Sequence, residues 1–236
     1  MNVVEESKTE KPVEKLHFNL MICTPGHSVM VEYMQSLLSW ASFAAEKKIT
    51  WGLSTGYSSH VADAREIVLS GTKNNSLSES RPFSGEVTYD KLLWIDSDIQ
   101  FTPEDIYKLY KSKKDVVSGA YLLATGQVVA YPTLRSSLYV EDVKKMREDV
   151  EIESAGFGFI CFKSGVFETL SRPWFQSAMV TETFDGKEYT FAMIGEDMSL
   201  CKRVLEKGFK IYLDPSVRVN HHKTMKLTWE GIQPNG

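Results

Sequence analysis

Cysteine is scarce in this chain, with three in 236 residues: Cys23, Cys161 and Cys201, each flanked by apolar residues and far from the others. There is no Cys-x-x-Cys pair and no even-numbered framework. That excludes a disulfide-stapled scaffold and a thiolate metal site, and it points to a reducing compartment, so a cytoplasmic location is the expectation. A basic excess is also missing. Lys and Arg number 27 against 31 Asp and Glu, a formal net charge of -4, so no electrostatic footprint for nonspecific nucleic-acid binding is present, while nucleotides stay open as ligands. No segment approaches the roughly 20 consecutive apolar residues of a membrane span. Residues 1–15 lack the apolar core of a signal peptide and are expected to form a disordered, charged tail. Internal repeats, heptads and low-complexity tracts are absent, and with 42% hydrophobic residues one domain with a sizeable core is the economical reading.

What is present centres on residues 91–105. Leu92, Leu93, Trp94 and Ile95 are apolar without alternation, as in a strand covered on both faces, and two carboxylates, Asp96 and Asp98, follow with Ser97 between them. A helix start comes next: Thr102 suits the N-cap, Pro103 the first helical position and Asp105 the place of a capping-box acid. Open α/β sheets bind their ligands where strands end just before helices. In an extended backbone Asp96 and Asp98 point the same way. Two carboxylates in one small space repel each other unless a cation or proton intervenes, and an all-oxygen site suits Mg2+ or Mn2+ completed by substrate phosphates. The plainer alternative is a solvated turn, because Asp and Ser are ordinary turn residues.

The rest of the chain alternates in kind. Leu16–Cys23 reads as a strand ending in the turn residues Thr24, Pro25 and Gly26; residues 29–47 carry apolar positions at helical spacing. A short strand over Ile49–Ser54 and a helix over Val61–Leu69 follow, with Arg65 off the apolar stripe and therefore expected on the solvated side. Residues 72–85 are rich in Asn, Ser, Glu, Pro and Gly, a surface connection. After the central strand come a helix from Pro103 to about Lys113 and a strand over Asp115–Tyr121. Residues 122–150 read weakly, as a short strand and an exposed helix. Gly156 and Gly158 introduce an apolar strand to Lys163, where they permit close approach of a ligand or form a bulge. A brief helix is expected over Ser164–Leu170, and a hairpin over Met179–Phe191 turning at Asp185 and Gly186. Glu196 and Asp197 open a helix that Gly208 closes, favourable choices for capping and dipole. Short strands over Phe209–Leu213 and Val217–Asn220 flank Asp214 and Pro215, and the ordered pattern is expected to end at His221, His222 and Lys223. Strand, helix and strand in succession argue for α/β layering.

Taken in order, these elements resemble the nucleotide-sugar glycosyltransferases of the GT-A fold, most nearly the family 2 type, over residues 16–223. Residues 224–236 are then a C-terminal tail. The resemblance implies a single Rossmann-like α/β domain with a mixed, mostly parallel sheet flanked by helices. It implies that Thr24, Pro25, Arg65, Asp96, Ser97 and Asp98 bind a nucleotide-sugar donor, with Asp96 near the ribose or sugar and Asp98 on a divalent cation, Mn2+ or Mg2+, that bridges the diphosphate. A histidine beyond the last core strand completes the metal shell in relatives; His221 occupies that place better than His222. Asp197 corresponds to the general base of inverting members, ionised at neutral pH with a reference pKa of about 3.9, and Glu196 binds the acceptor or caps the helix. Gly156 and Gly158 would line the acceptor or sugar pocket. The Gln-x-x-Arg-Trp string of processive synthases and any transmembrane extension are lacking, which favours transfer of one sugar to an acceptor hydroxyl.

Two other readings compete. An Asp-nucleophile phosphatase also carries Asp-x-Asp after a strand, but Gln100 stands where a hydroxyl residue is favoured. A binding module for sugar nucleotides or glycans would need neither the Glu196–Asp197 pair nor both aspartates of the first motif. UDP is favoured over GDP as the nucleotide. Glycan, lipid-linked sugar, protein and modified nucleobase are all open as acceptor.

Overall fold

A strand that is apolar at every position must be covered on both sides, and three layers result. The computed structural model describes residues 15–71, 81–133, 136–223, 225–228 and 231–234. Apart from Lys15, the tail expected over residues 1–15 lies outside the described residues, as do residues 72–80 of the expected connection. Strands β1 (Leu16–Pro25), β2 (Trp51–Gly56), β3 (Val87–Ile95), β4 (Val116–Ala120), β5 (Val150–Ile152), β6 (Phe159–Lys163) and β7 (Ile211–Arg218) form one seven-stranded sheet in the order β2-β1-β3-β6-β4-β7-β5. β2, β1 and β3 pair in parallel, as do β4 and β7. β6 runs antiparallel between β3 and β4, and β5 antiparallel along β7. The sheet is thus mixed and mostly parallel.

Helices α1 (Val31–Lys47), α2 (Val61–Ser70), α3 (Pro103–Lys111), the short α4 (Val140–Lys145) and α5 (Glu196–Glu206) accompany it. Alternate residues of each central strand enter separate cores. Leu20 and Ile22 of β1 and Leu93 and Ile95 of β3 share one with Trp40 and Ala44 of α1 and Ile106 and Leu109 of α3. Met21, Cys23, Leu92 and Trp94 share the other with Val68 and Leu69 of α2 and Leu200 and Val204 of α5. Each fully buried aliphatic side chain contributes about 1.5–3 kcal/mol of transfer free energy, so both faces of β1 and β3 are firmly held where they approach the site.

Local chemistry places the helix ends. At α3 the Thr102 hydroxyl accepts the Asp105 N–H at 3.3 Å and Asp105 Oδ2 accepts the Thr102 N–H at 2.9 Å, the expected capping box. Three expected elements differ. The second strand starts at Trp51, because Lys48 turns left-handed to end α1 and the Ile49 N–H is spent on the Ala44 carbonyl. Residues 164–170 hold a 3-10 turn at Phe167–Thr169, since Gly165 at φ 98° leaves too little chain for a helix. The two strands expected around Pro215 are one, β7, whose register shifts between Asp214 and Arg218. Ala178–Phe184 and Lys187–Ile194 form the expected hairpin, and Met225–Thr228 pairs antiparallel with Gly231–Pro234 beyond the point where the pattern was expected to end. Among the described residues no helix is long and apolar enough to cross a membrane.

Candidate active site

Because β2, β1, β3, β4 and β7 run the same way, the segments that leave their C-terminal ends collect at one edge of the sheet. Pro25 and Gly26 leave β1, Tyr57, Ser58 and Ser59 leave β2, and Asp96, Ser97 and Asp98 leave β3; Tyr121 and Leu123 follow β4, and His221 and Lys223 follow β7. With Ala64 and Arg65 of α2 and Asp197 of α5 they line a cleft of about 460 Å3. This is the position at which open α/β sheets hold ligands. Gly26 is dictated by proximity: a Cβ there would stand 2.8 Å from Ser97 Oγ.

Asp98 and His221, 123 positions apart, meet because Ile99–Gln100 pairs antiparallel with Asn220–His221 and the His222 N–H donates to the Asp98 carbonyl at 2.9 Å. His221 Nε2 lies 3.2 Å from Asp98 Oδ2, and Nδ1 lies 2.8 Å from the Leu122 carbonyl oxygen. A carbonyl only accepts, so Nδ1 carries a proton and directs Nε2 at the carboxylate. That contact is favourable when Nε2 is also protonated or when a cation lies against both groups. Burial disfavours the imidazolium of His221, but the hydrogen bonds to Asp98 and Leu122 and the Asp98 charge outweigh it and raise the pKa. Burial likewise opposes the Asp98 carboxylate, yet His221 and Lys223 hold its pKa below the ordinary value. Lys223 Nζ lies 3.0 Å from the same Oδ2. His222 turns away, its Nε2 3.1 Å from Gln100 Oε1.

The donor chemistry at this point fits a hard divalent cation. One carboxylate and one imidazole converge, and the imidazole is oriented through a backbone carbonyl as metal-ligating histidines usually are. Among the described residues no three His, Cys, Asp or Glu side chains gather into a cage. Asp98 and His221 would therefore supply two donors, and the remaining coordination would fall to water and ligand oxygens, as is usual for Mg2+ sites.

Arg65 does not take the solvated place its position off the apolar stripe suggested. It is 4% exposed, with Nη1 2.6 Å from Glu196 Oε1 and Nη2 3.5 Å from Asp96 Oδ1, and its guanidinium lies over the Phe157 ring. The ion pairs compensate its burial and tie α2, α5 and the end of β3 together. Glu196, bound in this way, contributes no surface to the cleft, whereas its neighbour Asp197 does. Asp197 Oδ1 accepts the Met198 N–H at 2.7 Å. Burial raises its pKa, with Glu196 and Asp96 adding to the rise and Arg65 and the Met198 hydrogen bond opposing it.

Gly156 and Gly158 act at one remove. A Cβ on Gly156 would collide with the Tyr121 hydroxyl and with Val129, and one on Gly158 would lie 2.6 Å from Tyr121 Cζ. The Gly158 N–H donates to Tyr121 Oη at 3.2 Å, and the Tyr121 ring meets His221 edge-on at 5.4 Å. The glycines thus seat a tyrosine that lines the cleft and buttresses the histidine. Thr24 is 2% exposed and shares a 2.5 Å hydrogen bond with the Tyr33 hydroxyl, supporting the end of β1 from behind. Residues 57–59, Tyr121 and Lys223 escaped the sequence reading. The first group and Tyr121 are announced only by following directly after a strand, and Lys223 only by lying two residues past His221.

No family model and no curated protein sequence matches the chain. Among solved structures the chain is similar to A197 from STIV, with 20% identity, a TM-score of 0.55, and coverage of 92% of this chain and 94% of that one. More distant similarity is found to GalNAc-T7 with UDP, GalNAc and Mn2+, at 10% identity and TM-score 0.47 over 86% of this chain and 43% of that one. The inositol-1-phosphate CTP transferase from T. maritima stands at 10% identity and TM-score 0.38, over 87% and 89% of the respective chains. The likeness to A197 is one of fold: a single Rossmann-like α/β domain extending over nearly the whole of both chains.

Proposed function

We propose that the chain is a metal-dependent glycosyltransferase of the GT-A, family 2 type that moves one sugar from a nucleotide-diphosphate donor, UDP-sugar before GDP-sugar, to an acceptor hydroxyl with inversion. The observation that carries this reading is the convergence of Asp98 and His221 with Asp96 and Asp197 on one cleft at the C-terminal ends of the parallel strands. Asp96, Ser97, Pro25 and Arg65 are the donor-side residues of that cleft. Asp98 and His221 would hold Mn2+ or Mg2+, which when bound supplies Lewis-acid neutralisation of the charge on a departing diphosphate. Asp197 takes the acceptor proton as the acceptor oxygen forms its bond to the anomeric carbon; the bond from that carbon to the diphosphate oxygen breaks, and the nucleoside diphosphate leaves with the electron pair. Burial raises the pKa of Asp197, which makes its carboxylate a stronger base than that of an exposed aspartate.

The test is a thermal-shift comparison of UDP and GDP with and without Mn2+, followed by transfer assays over a panel of UDP- and GDP-sugars. Ligand at about 100 times its Kd stabilises the native state by about 2.7 kcal/mol, on the order of 5–10 °C for a domain of this size. One diphosphate should give such a shift only with Mn2+. His221→Ala should remove the Mn2+-dependent part and His222→Ala should keep it. No shift with either nucleotide would sink the reading, whereas a Mn2+-dependent shift without turnover across the panel would favour the binding module.

A further inference from the structure

Lys223 and His221 address the same oxygen of Asp98 but are held very differently. The His221 side chain is 8% exposed and is fixed by the Leu122 carbonyl and the Tyr121 ring, whereas the Lys223 side chain is 47% exposed and its described ion pair is the single contact from Nζ to Asp98 Oδ2 at 3.0 Å. An ammonium on a flexible stem is a mobile charge. It also stands where a divalent cation shared by Asp98 and His221 would draw on the same oxygen, and the two like charges repel at such range. A divalent cation held at that oxygen would drive the ammonium off it. The other carboxylates of the cleft are Asp96, whose Oδ1 faces Arg65, and Asp197, which is half-buried on α5 with Oδ1 accepting the Met198 N–H. An anion entering the cleft is the remaining partner.

We propose that Lys223 is a diphosphate-binding residue that pairs with Asp98 until cation and donor are bound. It neutralises Asp98, competes with the divalent cation for Oδ2, and passes to the phosphates when cation and donor are both bound. This rests on the donor and metal reading above. Its consequence is cooperative loading: the cation alone must displace Lys223 without compensation, while a diphosphate gives the ammonium a new partner, so each ligand strengthens the other by the same factor.

The experiment is isothermal titration of wild type, Lys223→Met and Lys223→Gln with Mn2+ alone, with UDP and GDP in the presence and absence of Mn2+, and with uridine and guanosine as controls without phosphate. The neutral variants should bind Mn2+ alone at least about fivefold more tightly and the preferred diphosphate with Mn2+ about tenfold more weakly, within the ordinary range of coupling between sites. Binding of the matching nucleoside and the ligand-free melting temperature should stay at wild-type values. Unchanged affinity for Mn2+ alone overturns the assignment, as does an equal loss of diphosphate and nucleoside binding. Failure of wild type to bind either diphosphate overturns both the diphosphate role of Lys223 and the transfer reading, whereas diphosphate binding that is equal in wild type and the neutral variants overturns the role of Lys223 alone.

Discussion

Asp197 and Arg65 show how far a single side chain departs from its reference behaviour once its surroundings are set. Burial raises the Asp197 pKa, so the folded state holds that proton more tightly than the unfolded chain, where the value is about 3.9. The sign follows from linkage: the penalty is absent at pH values below both pKa values, grows as pH rises through the unfolded and then the folded value, and is complete above the latter. Asp197→Asn should therefore melt at a higher temperature than wild type at pH 7, with the advantage shrinking on acidification, while transfer falls about 10²–10⁴-fold through loss of the base. A melting advantage independent of pH would refute the burial argument, and wild-type transfer would remove Asp197 from the mechanism. Arg65 has the opposite significance for stability. Its 2.6 Å ion pair to Glu196 is largely shielded from water, while Asp96, its second partner, faces the cleft, and removing one partner of a buried pair costs about 3–5 kcal/mol. Arg65→Met should lower the urea midpoint accordingly, and adding Glu196→Gln should restore part of the loss, because the two residues share one interaction.

Strand and helix ends carry the site, and their local chemistry was largely readable. The unbroken apolar run before Asp96 announced a strand covered on both faces, and Thr102, Pro103 and Asp105 announced the start of α3. The glycines at 156 and 158 were legible as points of close approach, but what approaches them was not, since Tyr121 reaches them from the segment that follows β4. Gly156→Ala should force the Tyr121 ring aside and destabilise the fold by about 1–3 kcal/mol, the usual cost of overpacking, as measured by thermal unfolding. Wild-type stability in that variant would mean that Tyr121 relocates freely. Arg65 was misjudged because helical periodicity separates the apolar stripe from the remainder, and a charged residue beside the stripe is buried only if another element brings it a counter-charge.

The molecule as a whole divides its apolar side chains between two cores, and the cysteines lie within them. Cys23, Cys161 and Cys201 are all buried and free. Burial pushes the Cys161 and Cys201 thiols up to about 12 and that of Cys23 well above its ordinary value. Thiolates are the reactive form, so a thiol reagent should leave the native protein unlabelled over a time in which denatured protein is labelled at all three positions. Rapid labelling of the native state would contradict this packing.

Residues near one another along the chain settle the kind and order of the elements, because hydrophobic period, capping and turn chemistry act over a few positions. The α/β layering, the strand that ends at Asp96 and the helix that opens at Glu196 were all legible on that basis. The meeting of Asp98 with His221 and of Arg65 with Glu196 was not, because these pairs are 123 and 131 positions apart. They meet through the strand order β2-β1-β3-β6-β4-β7-β5 and the pairing of Asn220 with Gln100. Such registers are fixed only when distant strands compete for the same neighbours and the same buried volume, so the folded sheet decided which charges would share the cleft.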